Sequence, residues 1–185
     1  MIRKIGVALM MGSLSLVSFA GYGACKVDES TLKVAFTGYK TAKKLPVSGR
    51  FTKVAIKGGQ GKDLLSALKT TGFTIDGTKI DSGDKGRDAK LGAIFFGAMS
   101  GGKISGKVDS IKDGYAYVSL TMNGVTKPVP LKLSMAGKAV EAQGVIDIMD
   151  FGGSSPLAAL NKACFEKHEG KTWSEGAVTI TASCK

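Results

Sequence analysis

Apolar and polar residues alternate along most of this chain. Leu32, Val34 and Phe36 alternate with Lys33, Ala35 and Thr37, the period of a strand buried on one face. Val47 to Lys57 reads as one extended run with Val54 and Ile56 on a common face. Phe73 and Ile75 begin a strand that turns at Asp76-Gly77. The alternation returns at Ile104–Val108, Ala116–Met122, Val129–Met135, Val140–Ile148 and Val178–Cys184. Lys112-Asp113-Gly114, Asn123-Gly124 and Ala136-Gly137 separate these runs, and Asn-Gly is the strongest short hairpin signal of the three.

Helical spacing interrupts this pattern twice. Leu64, Leu65 and Leu68 within Lys62–Lys69 predict one short helix ending near Gly72. Ser155 can cap a second, with Pro156 at its first position, running to about Lys167. The sum is about eight antiparallel strands with one or two short capping helices. Strands linked by tight hairpins avoid exposed edges by closing into a barrel, and about eight leave a lumen for one small ligand. The inward positions are apolar, with Gly and Ala interspersed that would leave room in the lumen. A β-sandwich with a solid core has the same periodicity and stays open.

The first twenty residues follow a different rule. Arg3 and Lys4 precede an uncharged run, Ile5 to Ala20, of about 16 residues, shorter than the roughly 20 a membrane span needs. Ser18-Phe19-Ala20 places small residues where signal peptidase reads. We expect residues 1–20 to be a cleaved signal peptide and residues 21–185 to form a single domain in the periplasm. Lipidation of Cys25 after Tyr22-Gly23-Ala24 is the less favoured route, because Tyr22 stands where a Leu-like residue is usual.

Composition narrows the chemistry. The chain has three Cys and one His, so a zinc site would need all four to converge or carboxylates to join them. Any His-assisted nucleophile has only His168 to use. Outside the cytoplasm cysteines tend to pair. Cys25 and Cys184 would lie side by side if the first and last strands pair antiparallel, leaving Cys164 free. Lipidation of Cys25 would leave Cys164 and Cys184 as the remaining pair.

The formal net charge is +11, and +9 once Arg3 and Lys4 leave with the leader. An exported chain without interleaved aromatic and basic residues is not expected to bind nucleic acid. Solvated lysines account for the charge, and an anionic membrane surface is the fitting partner for any cluster such as Lys40, Lys43 and Lys44. Gly97–Lys103 has the Gly and Lys spacing of a phosphate loop, but Ile104 stands where Ser or Thr is needed and a strand follows.

The order and spacing of several short blocks resemble the YceI-like family. They are Leu32–Phe36 with Val47–Phe51, Ile75-Asp76 with Ile80–Gly83, Arg87–Leu91 with Phe95-Phe96, Leu120–Val129, and Asp147–Phe151. The resemblance covers about residues 25 to 184. It implies a lipocalin-like barrel that binds polyisoprenoids or related long-chain amphiphiles, without catalysis or cofactor. One departure concerns a His that many members carry soon after the first strand. Here that stretch reads Gly38-Tyr39-Lys40-Thr41-Ala42-Lys43-Lys44, so the contact loses that His; Tyr39 is either its substitute or, the favoured reading, a rim tyrosine with its hydroxyl satisfied.

The resemblance makes a periplasmic carrier for a polyisoprenoid or fatty acyl derivative the leading expectation. Its wall is assigned to Leu32, Val34, Phe36, Phe51, Ile75, Leu91, Phe95, Leu120, Met122, Leu131, Ile146 and Val178, with Tyr39 at the rim. In extended backbone only one of Phe95 and Phe96 faces inward. Arg87-Asp88, at the start of a short helix, reads as a structural ion pair. Trp173 is expected to seal one barrel end. Two rivals remain: an envelope protein with a filled core, and a small hydrolase using His168 with Glu166 or Glu169. The pattern leaves a homodimer open.

Overall fold

The computed structural model describes residues 24–185. The expected signal peptide and residues 21–23 lie outside that range. The strands are β1 (Cys25–Lys26), β2 (Lys33–Lys40), β3 (Leu45–Phe51), β4 (Val54–Lys57), β5 (Gln60–Gly61), β6 (Gly72–Asp76), β7 (Ile80–Asp81), β8 (Lys103–Lys112), β9 (Tyr115–Met122), β10 (Val125–Ala136), β11 (Ala139–Asp147) and β12 (Glu175–Ser183). The helices are α1 (Leu64–Lys69), α2 (Lys85–Lys90), α3 (Ser154–Ala163) and α4 (Phe165–His168).

Ten of the strands form one antiparallel sheet in the order β4-β6-β8-β9-β10-β11-β12-β2-β3-β7, while β1 pairs with β5. The sheet curls around an apolar core. The expected count of eight is therefore corrected upward. Three of the additional strands, β1, β5 and β7, are two residues long, too short to show a period. The fourth arises because Val47–Lys57 is not one strand. It breaks at Thr52-Lys53, which puts β3 near one end of the sheet and β4 at the other. The chain itself thus bridges the seam. Thr52 N–H donates to Lys79 O (2.8 Å) and Asp76 N–H to Lys53 O (3.0 Å) at that corner. Arg50 Nη2 donates to Asp81 Oδ2 (2.7 Å) and pins β7 to β3.

Hairpin chemistry sets the register. Asp113-Gly114 and Asn123-Gly124 all have positive φ (53° and 78°, 53° and 75°), as two-residue turns matching strand twist require. They pair Lys112 with Tyr115 and Met122 with Val125. The strand expected from Val129 begins at Val125 and contains Pro128 and Pro130. Proline offers no donor to a ladder. Both prolines pair with β9, and β11 joins β10 only from Lys132 onward. In front of the splayed segment, the 3-10 turn Ile148–Phe151 fills the gap, and Asn123 Nδ2 donates to Phe151 O (3.0 Å). Phe151 is 1% exposed.

The two ends of the barrel differ. At one end α1, capped by Asp63 accepting from Ser66 N–H (2.7 Å), lies with β1 and β5 across the opening. There Cys25 and Cys184 form a disulfide with Cα atoms 5.2 Å apart. The bond occupies the sulfur that lipidation of Cys25 would use, and Cys164 is the free cysteine. The helix expected over residues 155–167 is two helices, α3 and α4, broken at Cys164 (φ −123°). Asn161 Nδ2 donates to Gly170 O, nine residues on, at 2.9 Å. A straight helix would hold residues so spaced about 13 Å apart, so the break is what lets the chain fold back.

The disulfide closes a sequence separation of 159 residues. Reduction, or Cys25→Ser, is expected to lower the unfolding free energy by about 2–5 kcal/mol, read as a lower urea midpoint. An unchanged midpoint on reduction would argue that the bond does not form in solution.

Candidate functional site: an apolar lumen with a basic mouth

Inward positions of the curled sheet enclose a cavity of about 170 Å³. Val34 and Phe36 of β2, Phe51 of β3, Ile75 of β6, Leu120 and Met122 of β9, Leu131 of β10, Ile146 of β11 and Val178 of β12 line it. Leu91 and Phe95 close it from the helical side, and Tyr39 stands at its edge. Leu32 does not reach it. One step toward the closed end, Leu32 lines a smaller void of about 80 Å³ beside Val27, Leu68 and Ala182. Val34, Phe73, Ile75, Val118, Leu131 and Ile180 border both spaces and form a waist between them.

Two aromatic arrangements shape the lumen. Leu91–Phe96 is a single π-helical turn. In it Phe95 and Phe96 are both 7% exposed and both line the cavity. The expectation that one faces out rested on extended backbone, where neighbours point to opposite faces; in a helix they need not. Phe36, Phe51 and Phe96 meet at centroid separations of 5.2, 5.2 and 5.8 Å, and Phe95 stacks edge-on to Phe96 at 4.8 Å. Such tilted contacts add to plain burial. The glycines do not leave the room expected of them. A Cβ on Gly49 would meet the Phe36 ring at 2.7 Å, and one on Gly106 the Phe73 ring at 2.6 Å. Each ring lies over the glycine it pairs with on the next strand.

Sequence reasoning missed Phe73, Leu157, Leu160 and the Ile148 turn as wall residues. Phe73 was legible only as a strand start. Leu157, Leu160 and Cys164 carry a helical spacing that marks an inner face, and α3 lays Leu157 and Leu160 over the cavity. Trp173 lines the mouth; its Nε1–H donates to Thr41 O (2.8 Å), and the ammonium groups of Lys44 and Lys171 sit 4.2 and 4.6 Å from its ring centroid. Such cation–π contacts fix an amphipathic ring at a wet boundary.

Above the apolar lumen lies a polar pocket of about 290 Å³, bordered by Lys40, Asp84, Arg87, Lys90, Lys167 and His168. It shares Phe36, Tyr39, Leu91 and Leu160 with the lumen. Arg87 and Asp88 do not pair with each other as expected. Arg87 Nε donates to Ser82 Oγ (2.8 Å) and its Nη2 to Ser82 O (2.6 Å), while Asp88 Oδ1 accepts from Ser82 N–H (2.9 Å). Both side chains therefore hold the loop before α2.

His168 Nδ1 lies 2.7 Å from Thr172 Oγ1, and that hydroxyl donates to Asn161 Oδ1 (2.9 Å). The hydroxyl's one hydrogen is thus used, so Nδ1–H donates to Thr172. Neither Glu166 nor Glu169 bonds the ring, and the couple that the hydrolase reading needs is not assembled. Partial burial, then the nearby Lys40 and Lys90 ammonium groups, push the His168 imidazole below its ordinary value of 6.5. Among the described residues, no cluster of three or more His, Cys, Asp or Glu converges as a metal site would require. Gly97–Lys103 ends the π turn, passes through a 3-10 turn and enters β8, with no helix to receive a phosphate.

A model of the YceI-like domain matches residues 26–184. The chain belongs to the YceI-like family. Among solved structures, a polyisoprenoid binding domain from Saccharophagus degradans superposes with a TM-score of 0.58 at 15% identity, spanning 88% of this chain and 98% of that one. BcnA from Burkholderia cenocepacia gives 0.57 at 20% identity, spanning 85% and 98%. Among curated proteins none matches. At these identities the likeness establishes the fold. It settles the choice between barrel and sandwich, because the YceI-like neighbours share the curled sheet.

The chain's only histidine gives a clean pH test. Its folded midpoint is depressed, so on acidification the unfolded chain takes up the proton first and stability falls as pH drops below about 6.5. Between about pH 5 and 7, wild-type urea stability should therefore rise with pH, while His168→Gln should lose much of that slope. Lys40, Asp84, Arg87, Lys90 and Lys167 line the same pocket. An imidazole titrating at or above 6.5 by NMR would contradict the assignment.

Proposed function

We propose that this protein is a periplasmic carrier that holds the hydrocarbon chain of an amphiphilic lipid, a polyisoprenoid or fatty acyl derivative, inside its barrel. The observation that carries the reading is the lumen: a hydrocarbon-walled space, closed at the disulfide end and opening at the other into a polar pocket. A filled core would leave no such space. The Saccharophagus degradans neighbour is described as a polyisoprenoid binding domain, and the shared fold lends the same chemistry to this chain. Export is supported by the leader-like first twenty residues and by a disulfide, a bond that persists in oxidising compartments.

Binding here needs no reaction. Each methylene taken out of water gains about 0.8 kcal/mol, so ten buried carbons gain roughly 8 kcal/mol before the cost of association. The cavity of about 170 Å³ matches in size one that accepts a benzene-sized guest. A long chain therefore enters by displacing flexible lining side chains such as Met122 and Leu91, and by passing the waist at Phe73 into the void below.

Native mass spectrometry after gentle purification should find a lipid adduct, and a polyene fatty acid should fluoresce when added to stripped protein. Val178→Trp places an indole in the lumen and should reduce that uptake at least tenfold, at about 1–3 kcal/mol of stability from overpacking. Near-native circular dichroism distinguishes a blocked lumen from an unfolded chain. Stripped wild-type protein that takes up no lipid would overturn the reading.

A further inference from the structure

On the carrier reading, cargo enters and leaves at the open end, and the outer lip there holds an aromatic ring in water. Phe165, the first residue of α4, is 61% exposed. Its exposure follows from how α4 ends. Glu169 (φ 50°) and Gly170 (φ 71°) are both left-handed, and Gly170 N–H donates to Phe165 O (3.0 Å) while Glu169 N–H donates to Glu166 O (3.4 Å). A helix end of this type is commonly covered by an apolar side chain at the position Gly170 holds. Gly170 has none to give. The Phe165 ring lies against its bare backbone, where a Cβ would come within 3.0 Å, and most of the ring faces solvent.

The lip continues across the neighbouring hairpin. Thr41 N–H donates to Lys171 O (2.9 Å) and Trp173 N–H to Tyr39 O (3.0 Å), so the β2–β3 turn lies against the segment that follows Gly170. That turn presents Lys43, Lys44 and Leu45, all exposed, with Leu45 at 46%. The Lys44 and Lys171 ammonium groups meet on the Trp173 ring at the rim of the lumen. In this lip Lys43, Lys44, Lys162, Lys167 and Lys171 outnumber Glu166, Glu169 and Glu175, and Glu175 is already bonded to Lys44 (3.1 Å). Large apolar side chains set among lysines suit the boundary between anionic head groups and acyl chains.

We propose that the open end docks on a bilayer bearing anionic lipid, with Phe165 and Leu45 entering the interface and Lys43, Lys44 and Lys171 against the head groups. The proposal rests on the carrier reading and adds the surface from which the cargo is drawn. Each methylene exposed to water on the way costs about fourfold in population. A lumen that opens directly onto lipid avoids that exposure. Leu65 is also exposed (37%), but it sits on α1 across the closed end, away from the mouth, and serves as a control.

Cosedimentation of the purified protein, its disulfide intact, with lipid vesicles tests the docking. Uptake of a polyene fatty acid measures the lumen independently. Vesicles of phosphatidylglycerol and phosphatidylethanolamine should bind at least tenfold more tightly than phosphatidylcholine vesicles in low salt, since each lysine near an anionic surface gives about fivefold. That margin should shrink with added salt. Phe165→Ser should weaken vesicle binding about fivefold, the effect of withdrawing a partly buried ring, and Lys43→Gln by about as much. Both should keep wild-type fatty acid uptake. Leu45→Ser gives the apolar test should Phe165→Ser fail to fold, and Leu65→Ser should leave vesicle binding unchanged. Equal binding to both kinds of vesicle, or binding that survives the substitutions at Lys43, Leu45 and Phe165, overturns the docking. So does a loss produced by Leu65→Ser, which would move the contact to the closed end. Self-association that depends on Phe165, without vesicle binding, overturns it in favour of a second copy of the chain as the occupant. In each of these cases intact fatty acid uptake leaves the carrier reading standing, whereas vesicle binding without any uptake overturns the carrier reading alone.

Discussion

The pairing of β12 with β2 holds this protein together. Without that ladder the sheet falls into two open pieces, one running from β4 to β12 and the other made of β2, β3 and β7. Neither piece could wrap a lumen. The ladder joins Thr37 to Ala177 and Lys33 to Thr181, residues from opposite ends of the chain, so its loop-closure entropy is met only when the intervening strands are in place. The disulfide lies just beyond it and removes part of that entropy from the unfolded chain.

Much of the architecture was legible because the sheet is antiparallel and one-sided. Alternation put Val34, Phe36, Leu120, Met122, Leu131, Ile146 and Val178 on one face, and curling the sheet turned that face inward. Asp113-Gly114 and Asn123-Gly124 fixed two registers from residue type alone. What escaped the sequence was whatever depended on a partner distant along the chain. Two-residue strands such as β5 and β7 exist only because β1 and β3 offer them ladders. Thr52-Lys53 carries no turn signal, yet it is the corner where the sheet meets itself. Leu32 has the right period and still misses the main cavity, because it precedes β2 and lies below the waist. The π turn at Leu91–Phe96 has no period that distinguishes it from a strand of apolar residues. The basic mouth was the least legible part, since Lys40, Arg87, Lys90 and Lys167 come from three elements that the fold alone gathers.

On the proposed carrier reading, lumen and mouth divide the work of recognition. The lumen is non-directional, and its affinity grows with chain length while discriminating poorly between chains of equal area. Discrimination falls to polar groups at the boundary, where a mismatch leaves a charge unpaired. Trp173 marks that boundary, its N–H held by the Thr41 carbonyl and its ring met by Lys44 and Lys171. Ring-over-glycine pairs at Phe36–Gly49 and Phe73–Gly106 keep the wall dense while leaving an inner space, so the cavity is compatible with a stable barrel.

The disulfide also has a mechanical side. Cys25 and Cys184 stand at the outer limits of the folded domain, and every strand of the curled sheet lies between them in sequence. A pull applied beyond these two cysteines runs through the sulfur bridge and leaves the hydrogen-bonded ladders unloaded. In a chain pulled from both sides, a barrel wired this way keeps its shape while the force passes it by.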